Sequence, residues 1–293
     1  MPGAIGTANI GDVQAKIIAP VRYTLSMGTV MERLVRRIPG AQGNDDTLNQ
    51  PKWSSLTAYD ATEGVAVAQS QLITDANVSV SATESAVDIL LTKKLLRTTN
   101  AMNFRVAGKI MGDAMNRKVD RDLLALFSGF DTILGGASTT AALGYYLAAI
   151  SRLPGTLHTS EPAPMPYHHV IHGMHFRDIA DDLLALSSSA LAATAPFPDG
   201  ASRSILEDYT FGRLLGGRVV VDNNMTVTST NAYGATFSPE SILFYDWMPL
   251  DATMELDQGL RGWRLMIVRD FGVVEYDGTW GYAQRFDTTV PTS

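Results

Sequence analysis

The sequence contains no cysteine among its 293 residues, and no lysine follows Lys118. The lack of cysteine excludes disulfide bonds, thiolate nucleophiles and every metal site that cysteine ligates. No uncharged apolar stretch reaches the roughly 18 residues of a membrane span, and residues 1–20 lack the basic start and apolar run of a secretory signal. These absences predict a fold that depends on burial rather than on covalent links.

Basic residues are fewer than acidic residues in this sequence. The chain has 23 Lys and Arg residues against 30 Asp and Glu residues, which gives a formal net charge of -7 at pH 7. A chain with a negative net charge is a poor candidate for binding bulk nucleic acid through a basic surface. Hydrophobic residues make up 45% of the sequence, which is enough for one large core or two smaller ones.

The common sequence motifs of enzymes are also missing. There is no Gly-x-x-x-x-Gly-Lys-Ser/Thr phosphate loop and no Gly-x-Gly-x-x-Gly turn after a strand. The Gly-x-Ser-x-Gly elbow of many hydrolases does not occur either. The sequence therefore predicts neither an enzyme nor a bound cofactor.

Four histidines form the one dense group of potential metal ligands. They are His168, His169, His172 and His175. Imidazole suits several transition metals, and a site that uses His168, His172 and His175 is one hypothesis. No His-Glu-x-x-His pattern places two ligands one helical turn apart, so the favoured interpretation is packing and hydrogen bonding without a metal.

A long helix from about Asn100 to Phe130 is the most regular element of the chain. Its spacing places Phe104, Ala107, Met111, Ala114, Met115, Val119, Leu123 and Leu126 on one face. The charged residues Arg105, Lys109, Asp113, Arg117, Lys118, Asp120 and Arg121 are expected to face water. Gly129 is expected to supply the left-handed residue that ends the helix.

The sequence before this helix predicts an arm and a protruding hairpin. Residues 21–38 have the spacing of a short helix, which Pro39-Gly40 would end, and residues 42–74 are polar and suit a two-stranded excursion. A hairpin of this kind is marginal alone, so another chain is expected beneath it. Its aromatic residues could equally pack back onto their own strand. The predicted assembly interface comprises Trp53, Leu56, Tyr59, Val65 and Val67 on the excursion and Arg33, Arg36 and Arg37 on the arm.

The sequence after the long helix predicts an inserted domain followed by returning strands. The segment Tyr167–Ile171 has the pattern of a strand, and a helix is expected directly after it. Near the C-terminus, residues 263–268 and 272–276 suggest two strands joined by a turn at residues 269–271, with a third strand near 282–286. The segments before about 135 and after about 247 are expected to form one domain, with residues 136–246 inserted.

Several local pieces occur in a familiar order. They are Val119-Asp120-Arg121-Asp122-Leu123-Leu124, the run from Val170 to Asp178, the run from Leu215 to Met225, and the final strands from Trp263 to Phe286. This order of arm, hairpin, long helix, inserted domain and strands resembles the major capsid proteins of tailed double-stranded DNA phages. The resemblance implies the α+β Hong Kong 97-like capsid fold.

The resemblance also implies a division into domains. Residues 1–41 would be an N-terminal arm with a short helix, and residues 42–75 the extended β-hairpin loop. Residues 76–135 and 247–293 would form the peripheral domain, with a spine helix at residues 100–130. Residues 136–246 would form the axial domain. In this arrangement the extended loop lies over the adjacent subunit.

The implied function is structural. Copies would self-assemble through hexamers and pentamers into an icosahedral head that encloses double-stranded DNA without sequence-specific binding. Separate scaffolding, portal and decoration proteins are implied partners, and the protein would be assembled in the host cytoplasm and located in the virion. The alternatives are the shell of an encapsulin-type nanocompartment and, less favoured, a histidine-dependent metalloenzyme.

Some proteins of this family link neighbouring subunits covalently between a lysine on the extended loop and an asparagine of the peripheral domain. The loop here offers only Lys52, and residues 260–293 contain no asparagine. A shell without such crosslinks is therefore expected.

Overall fold

The computed structural model describes residues 29–40, 45–54, 75–92, 102–155, 161–188 and 212–289, with a few single positions between 56 and 94. Its helices are α1 (Met102–Ala125), α2 (Leu143–Arg152) and α3 (Gly173–Ser188). The strands are β1 (Arg36–Pro39), β2 (Thr47–Trp53), β3 (Asp75–Ser81), β4 (Thr83–Thr92), β5 (Thr132–Gly135), β6 (His168–Ile171), β7 (Arg213–Leu214), β8 (Gly217–Val221), β9 (Asn231–Phe237), β10 (Ile242–Asp257), β11 (Gly262–Glu275) and β12 (Gly281–Asp287). None of the helices in these ranges is long and apolar enough to cross a membrane.

A four-stranded sheet in the order β1-β10-β11-β4 supports the long helix. Side chains alternate between the two faces of a strand, and the apolar set of β4 and β11 falls on the face that meets α1. There Met111 and Met115 pack against Leu91, Leu265 and Ile267. The predicted spine helix is thus present at Met102–Ala125, and the sheet covers it at Met111 and Met115, whereas Ala114 of the predicted apolar face is exposed.

The end of the helix differs from the prediction. The chain continues from α1 into a 3₁₀ turn, Leu126–Gly129, and leaves it through Phe130 in an extended conformation. Among the described glycines the left-handed ones are Gly135, Gly155 and Gly216, so Gly129 is not a left-handed cap. A side chain at Gly129 would meet the carboxylate of Glu275, which lies at the end of a flexible side chain.

The short helix predicted at residues 21–38 is wrong where the chain is described. Residues 29–40, called the strap below, form a 3₁₀ turn at Met31–Arg33 and then strand β1, which pairs in parallel with β10. Met31, Leu34 and Val35 of the strap enter the main core beside Val119 and Leu123 of α1. Pairing with β10 and burial of these side chains override the local helical spacing.

The returning strands also differ from the prediction. Strand β11 is continuous from Gly262 to Glu275, so the expected turn at residues 269–271 does not exist. The turn had been expected at Arg269, Asp270 and Phe271. In the fold Arg269 is buried and paired with acidic side chains, and a charged residue can therefore lie within the strand.

The segment predicted as a two-stranded excursion forms a β-hairpin where it leaves the body of the protein. Strands β2 and β3 pair as a two-stranded antiparallel sheet from Thr47↔Ser81 to Trp53↔Asp75. The predicted strand at residues 77–81 is part of β3. Most of residues 55–74, including Tyr59, Val65 and Val67, lie outside the described residues.

A second sheet has six strands in the order β5-β12-β9-β6-β8-β7. The predicted strand at Tyr167–Ile171 corresponds to β6, which is buried throughout, and α3 follows it directly. Both β5 and β12 were predicted to belong to the peripheral domain. In the structure β5 pairs with β12, and β12 also pairs with β9, which belongs to the expected axial domain. Hydrogen bonding in this sheet therefore crosses the expected boundaries near residues 135 and 247.

Candidate assembly surfaces

The base of the hairpin is attached to the far end of β11. The hydroxyl group of Tyr276 donates to the Pro51 carbonyl at 3.0 Å, and the Lys52 ammonium lies 2.7 Å from the Asp277 carboxylate. The hydroxyl group of Tyr245 donates to the Asp45 carbonyl at 3.2 Å. These bonds fix the direction in which the hairpin leaves the body.

Beyond this base the hairpin exposes apolar side chains. Trp53, Leu56 and Ile73, called the hairpin patch below, are each more than half exposed. Trp53 and Leu56 were predicted at the assembly interface, whereas Ile73 was not. Exposed apolar side chains on a projection are typical of a surface that another molecule covers, and a role of these three in assembly stays a prediction.

A second exposed apolar surface lies on the first half of α1. Val106 and Ile110 are one turn apart and more than half exposed, and Lys109 lies beside them. We call these three residues the helix patch. Within the described residues Lys109 has no ion-pair partner, whereas Lys118 on the same helix is 2.7 Å from Asp122. Val106 and Ile110 were not predicted from the sequence, although apolar residues off the buried stripe of a helix were the available signal.

The two patches lie at opposite ends of the four-stranded sheet. The hairpin base contacts the chain just after β11 ends, at Tyr276 and Asp277. The start of α1 lies at the other end of β11, because Met111 packs with Leu91, which pairs with Trp263. Strand β11 has 14 residues, so its two ends are roughly 40 Å apart. The hairpin of one chain therefore points away from its own helix patch.

The strap arginines contact acidic groups of the same chain. Arg36 lies 3.0 Å from Glu240, and Arg37 pairs with Glu32 at 3.3 Å and with Asp246. Arg33 is exposed at the end of its 3₁₀ turn. These positions show intrachain pairing for Arg36 and Arg37, and the part of all three arginines in assembly stays a prediction.

Arg269 on β11 joins the strap to the sheet. Its guanidinium lies 3.0 Å from Glu32 and 3.2 Å from Asp246, and all three side chains are almost buried. Burial acts to lower the pKa of Arg269, but its bonds to Glu32 and Asp246 outweigh this and raise it. We call Glu32, Arg37, Asp246 and Arg269 the strap junction.

The histidines are placed by the six-stranded sheet. His169 is fully buried, with Nδ1 2.7 Å from the Thr236 hydroxyl group and Nε2 3.2 Å from the Leu214 carbonyl oxygen. Gln284 donates to the same Thr236 hydroxyl group at 2.8 Å, and we call these three side chains the sheet network. Burial lowers the pKa of His169 to about 4, so its imidazole is neutral at pH 7.

The three proposed metal ligands occupy different surroundings. His168 lies edge-on to Phe237 with ring centroids 6.3 Å apart, and His175 lies edge-on to Phe286 at 5.4 Å. The rings of His172 and His175 are 5.8 Å apart. In the part of the chain that the structure describes, no three His, Asp or Glu side chains are grouped so that they could hold a metal ion. Burial lowers the pKa of His175 to about 4.

These features define a class of fold: a spine helix on a four-stranded sheet, a projecting hairpin and a second mixed sheet. No family model matches the sequence, and no curated protein matches it. Solved structures do match. The structure titled Mycobacterium phage Che8 has a TM-score of 0.69 at 18% identity, covering 87% of this chain and 90% of that one.

Two further structures match to a similar extent. The capsid of Cyanophage P-SCSP1u has a TM-score of 0.67 at 11% identity over 89% of both chains. The head of Helicobacter pylori bacteriophage KHP40 has a TM-score of 0.67 at 10% identity over 90% of this chain and 93% of that one. The chain therefore has the α+β Hong Kong 97-like capsid fold expected from the sequence.

Proposed function

We propose that this chain is a major capsid protein whose copies assemble through hexamers and pentamers into an icosahedral phage head around double-stranded DNA. The observation that carries the proposal is the extent of the structural match. Each of the three structures covers 87–90% of this chain and is itself covered to 89–93%. A likeness over whole chains supports a shared assembly role better than a likeness limited to one domain.

The two apolar patches support head-to-tail assembly. Residues 53–75 contain Asp60, Glu63 and Asp75 but no lysine or arginine, and Lys109 lies in the helix patch. The hairpin patch of one copy therefore complements the helix patch of the next in both apolar character and charge. A repeated contact between two different surfaces generates rings when the rotation closes.

The remaining roles follow from this proposal. The protein acts mechanically rather than as an enzyme, and its net charge of -7 suits a wall that does not trap the packaged DNA. We assign residues 76–135 and 247–293 to the peripheral domain and residues 136–246 to the axial domain, with the six-stranded sheet drawing strands from both. Scaffolding, portal and decoration proteins are separate partners, and assembly takes place in the host cytoplasm.

The shell of an encapsulin-type nanocompartment is the second candidate for this fold. The structures compared above are phage structures, which favours the phage head. The content of particles purified from their natural source distinguishes the two functions. Nuclease-protected DNA supports the phage head, and an enclosed enzyme supports the nanocompartment.

The first test is electron microscopy of the chain expressed alone, after size-exclusion chromatography. We expect closed shells or rings of five and six subunits, because the two patches are present on every copy. A chain that stays monomeric at concentrations and salt conditions that span those of phage assembly, with or without a co-expressed scaffold, would contradict the proposal.

A charge exchange tests the contact between the patches. Lys109→Glu places a negative charge against an acidic hairpin, and we expect about tenfold weaker assembly by light scattering. Glu63→Lys in the same chain should restore it. Arg264→Glu is the matched control, since Arg264 lies on the opposite face of the sheet from α1. Assembly of Lys109→Glu at the wild-type rate would refute this contact.

A further inference from the structure

Asp120 lies on the apolar side of the spine helix, beneath the strap. It was predicted to face water, but its side chain is only 1% exposed. Its Oδ1 accepts the backbone N–H of Met31 at 3.2 Å, at the start of the 3₁₀ turn of the strap. The residue before that turn, Val30, provides no side-chain cap. The carboxyl group of Asp120 therefore fills the place of a capping residue, supplied by a distant part of the chain.

A second buried carboxyl group acts on Asp120 from the other sheet. Asp222 follows β8 and is 6% exposed. Its Oδ1 accepts the Asn224 N–H at 2.8 Å, while its Oδ2 is buried and has no hydrogen-bond partner in the described residues. Asp120 and Asp222 thus belong to the spine helix and to the six-stranded sheet, and the strap covers Asp120.

The charged groups that act on Asp120 are acidic. They are Asp222 and, from the strap, Glu32. Glu32 is itself paired with Arg269 and Arg37 in the strap junction. Among the described residues, no cationic side chain forms an ion pair with Asp120 or Asp222. Burial raises the pKa of Asp222 more than the electrostatic action of His172 lowers it, and the pKa of His172 is itself lowered by burial.

These surroundings shift the ionisation of Asp120 in one direction. Burial and then the charge of Asp222 raise the pKa of Asp120 from 3.8 to about 7. The N–H groups of Met31 and Val30 oppose this, since they favour the carboxylate, but they are outweighed.

We propose that docking of the strap onto the spine helix is coupled to uptake of one proton by the buried carboxyl group of Asp120. The strap is then held more tightly in mild acid than at neutral pH. This inference concerns a single chain and goes beyond the proposed assembly function, on which it does not depend.

The direction follows from linkage. With the strap released, Asp120 is exposed to water and its pKa returns toward 3.8, whereas with the strap docked it is about 7. Docking therefore takes up a proton between about pH 4 and pH 7. Within that window the docking equilibrium weakens by at most about tenfold for each unit of pH increase, and above it the dependence ends.

Hydrogen exchange of the full-length chain, read by mass spectrometry on peptides from residues 29–40, tests the proposal. Exchange is measured from pH 5.5 to pH 7.5 and expressed as protection relative to the intrinsic rate at each pH. We expect protection of the strap to fall roughly 20-fold across this range. The measurement uses unassembled subunits, so failure to form shells and failure of this coupling are distinguishable.

Three variants make the result specific. Asp120→Asn keeps an oxygen acceptor for Met31 but cannot ionise, and it should abolish the pH dependence. Asp222→Asn should move the dependence to lower pH, because one negative charge is removed. Asp122→Asn is the control two residues along the helix and should behave like the wild type. A flat wild-type profile, or an unchanged slope in Asp120→Asn, would overturn the proposal.

Discussion

The strap junction and the interior of the six-stranded sheet both bury polar side chains, but of different kinds. The strap junction buries charges, with Arg269 held between Glu32 and Asp246. The sheet network buries neutral groups, with His169 and Gln284 bonded to the Thr236 hydroxyl group. Buried charges depend strongly on each partner, whereas neutral hydrogen bonds add less and are lost at smaller cost. The first region therefore joins separate segments of the chain, and the second fixes the packing of one sheet.

The two regions also respond to acid in opposite directions. Next to the strap junction, the pKa of Asp120 is raised, so the folded state gains a proton as the pH falls. In the sheet, the pKa values of His169 and His175 are lowered, so the folded state resists protonation. Acid thus favours docking of the strap while it destabilises the interior of the sheet.

The largest expected effect comes from breaking the strap junction. Arg269→Met removes the buried one of the two arginines that bridge Glu32 and Asp246 and leaves only the half-exposed Arg37 beside them, and we expect a loss of about 3 kcal/mol in the free energy of unfolding. Urea unfolding of the unassembled chain measures it. Arg264→Met removes the exposed pair with Asp88 on the same strand and should change little. Equal effects from the two variants would remove the distinction between charged burial and surface pairing.

A somewhat smaller effect is expected from acid acting on the sheet. The pKa of His175 is 6.5 when unfolded and about 4 when folded, so the stabilisation it gives is present above pH 6.5 and lost as the pH falls toward 4. At pH 5 the loss for one such histidine is about 2 kcal/mol. In His175→Leu the difference in unfolding free energy between pH 7 and pH 5 should shrink by that amount. An unchanged difference would show that His175 does not titrate in this range.

The smallest of the three effects is expected inside the sheet network at constant pH. Thr236→Val keeps the shape of the side chain but removes the oxygen that His169 and Gln284 share, at a cost of about 1.5 kcal/mol. Thermal unfolding at pH 7 measures this loss, and Thr253→Val on the exposed part of β10 is the matched control. A loss as large as that of Arg269→Met would show that the neutral sheet network contributes as much to the free energy of unfolding as the charged strap junction does.

Regular elements could be predicted from the sequence, because their spacing is local. The apolar period of α1 and the buried run of β6 need no knowledge of their neighbours. The prediction that the Asp120 side chain faces water was wrong for a related reason. Gly108, Gly112, Asn116 and Asp120 follow each other at intervals of four, and all are buried. The segment that covers Asp120, the strap, is distant in sequence.

Partners distant in sequence also explain the other differences. Residues 29–40 become a strap because β10, some 200 residues later, offers a parallel edge to β1. The turn expected at Arg269 is absent because Glu32 and Asp246 neutralise that charge inside the sheet. The pairing of β12 with β5 and β9 could not be seen from composition, because residues 136–230 separate β5 from β9. Each case required knowledge of which segments meet.

In the head-to-tail assembly proposed above, the separation of the hairpin patch and the helix patch determines the number of free ends. Each added subunit covers one patch and presents another of the same kind, so an open chain always carries two uncovered ends. Ring closure removes both ends at once and forms an additional contact between molecules that are already tethered, without the entropy loss of capturing a free subunit. The angle between successive copies, rather than the strength of the contact, then decides whether five or six subunits complete the ring.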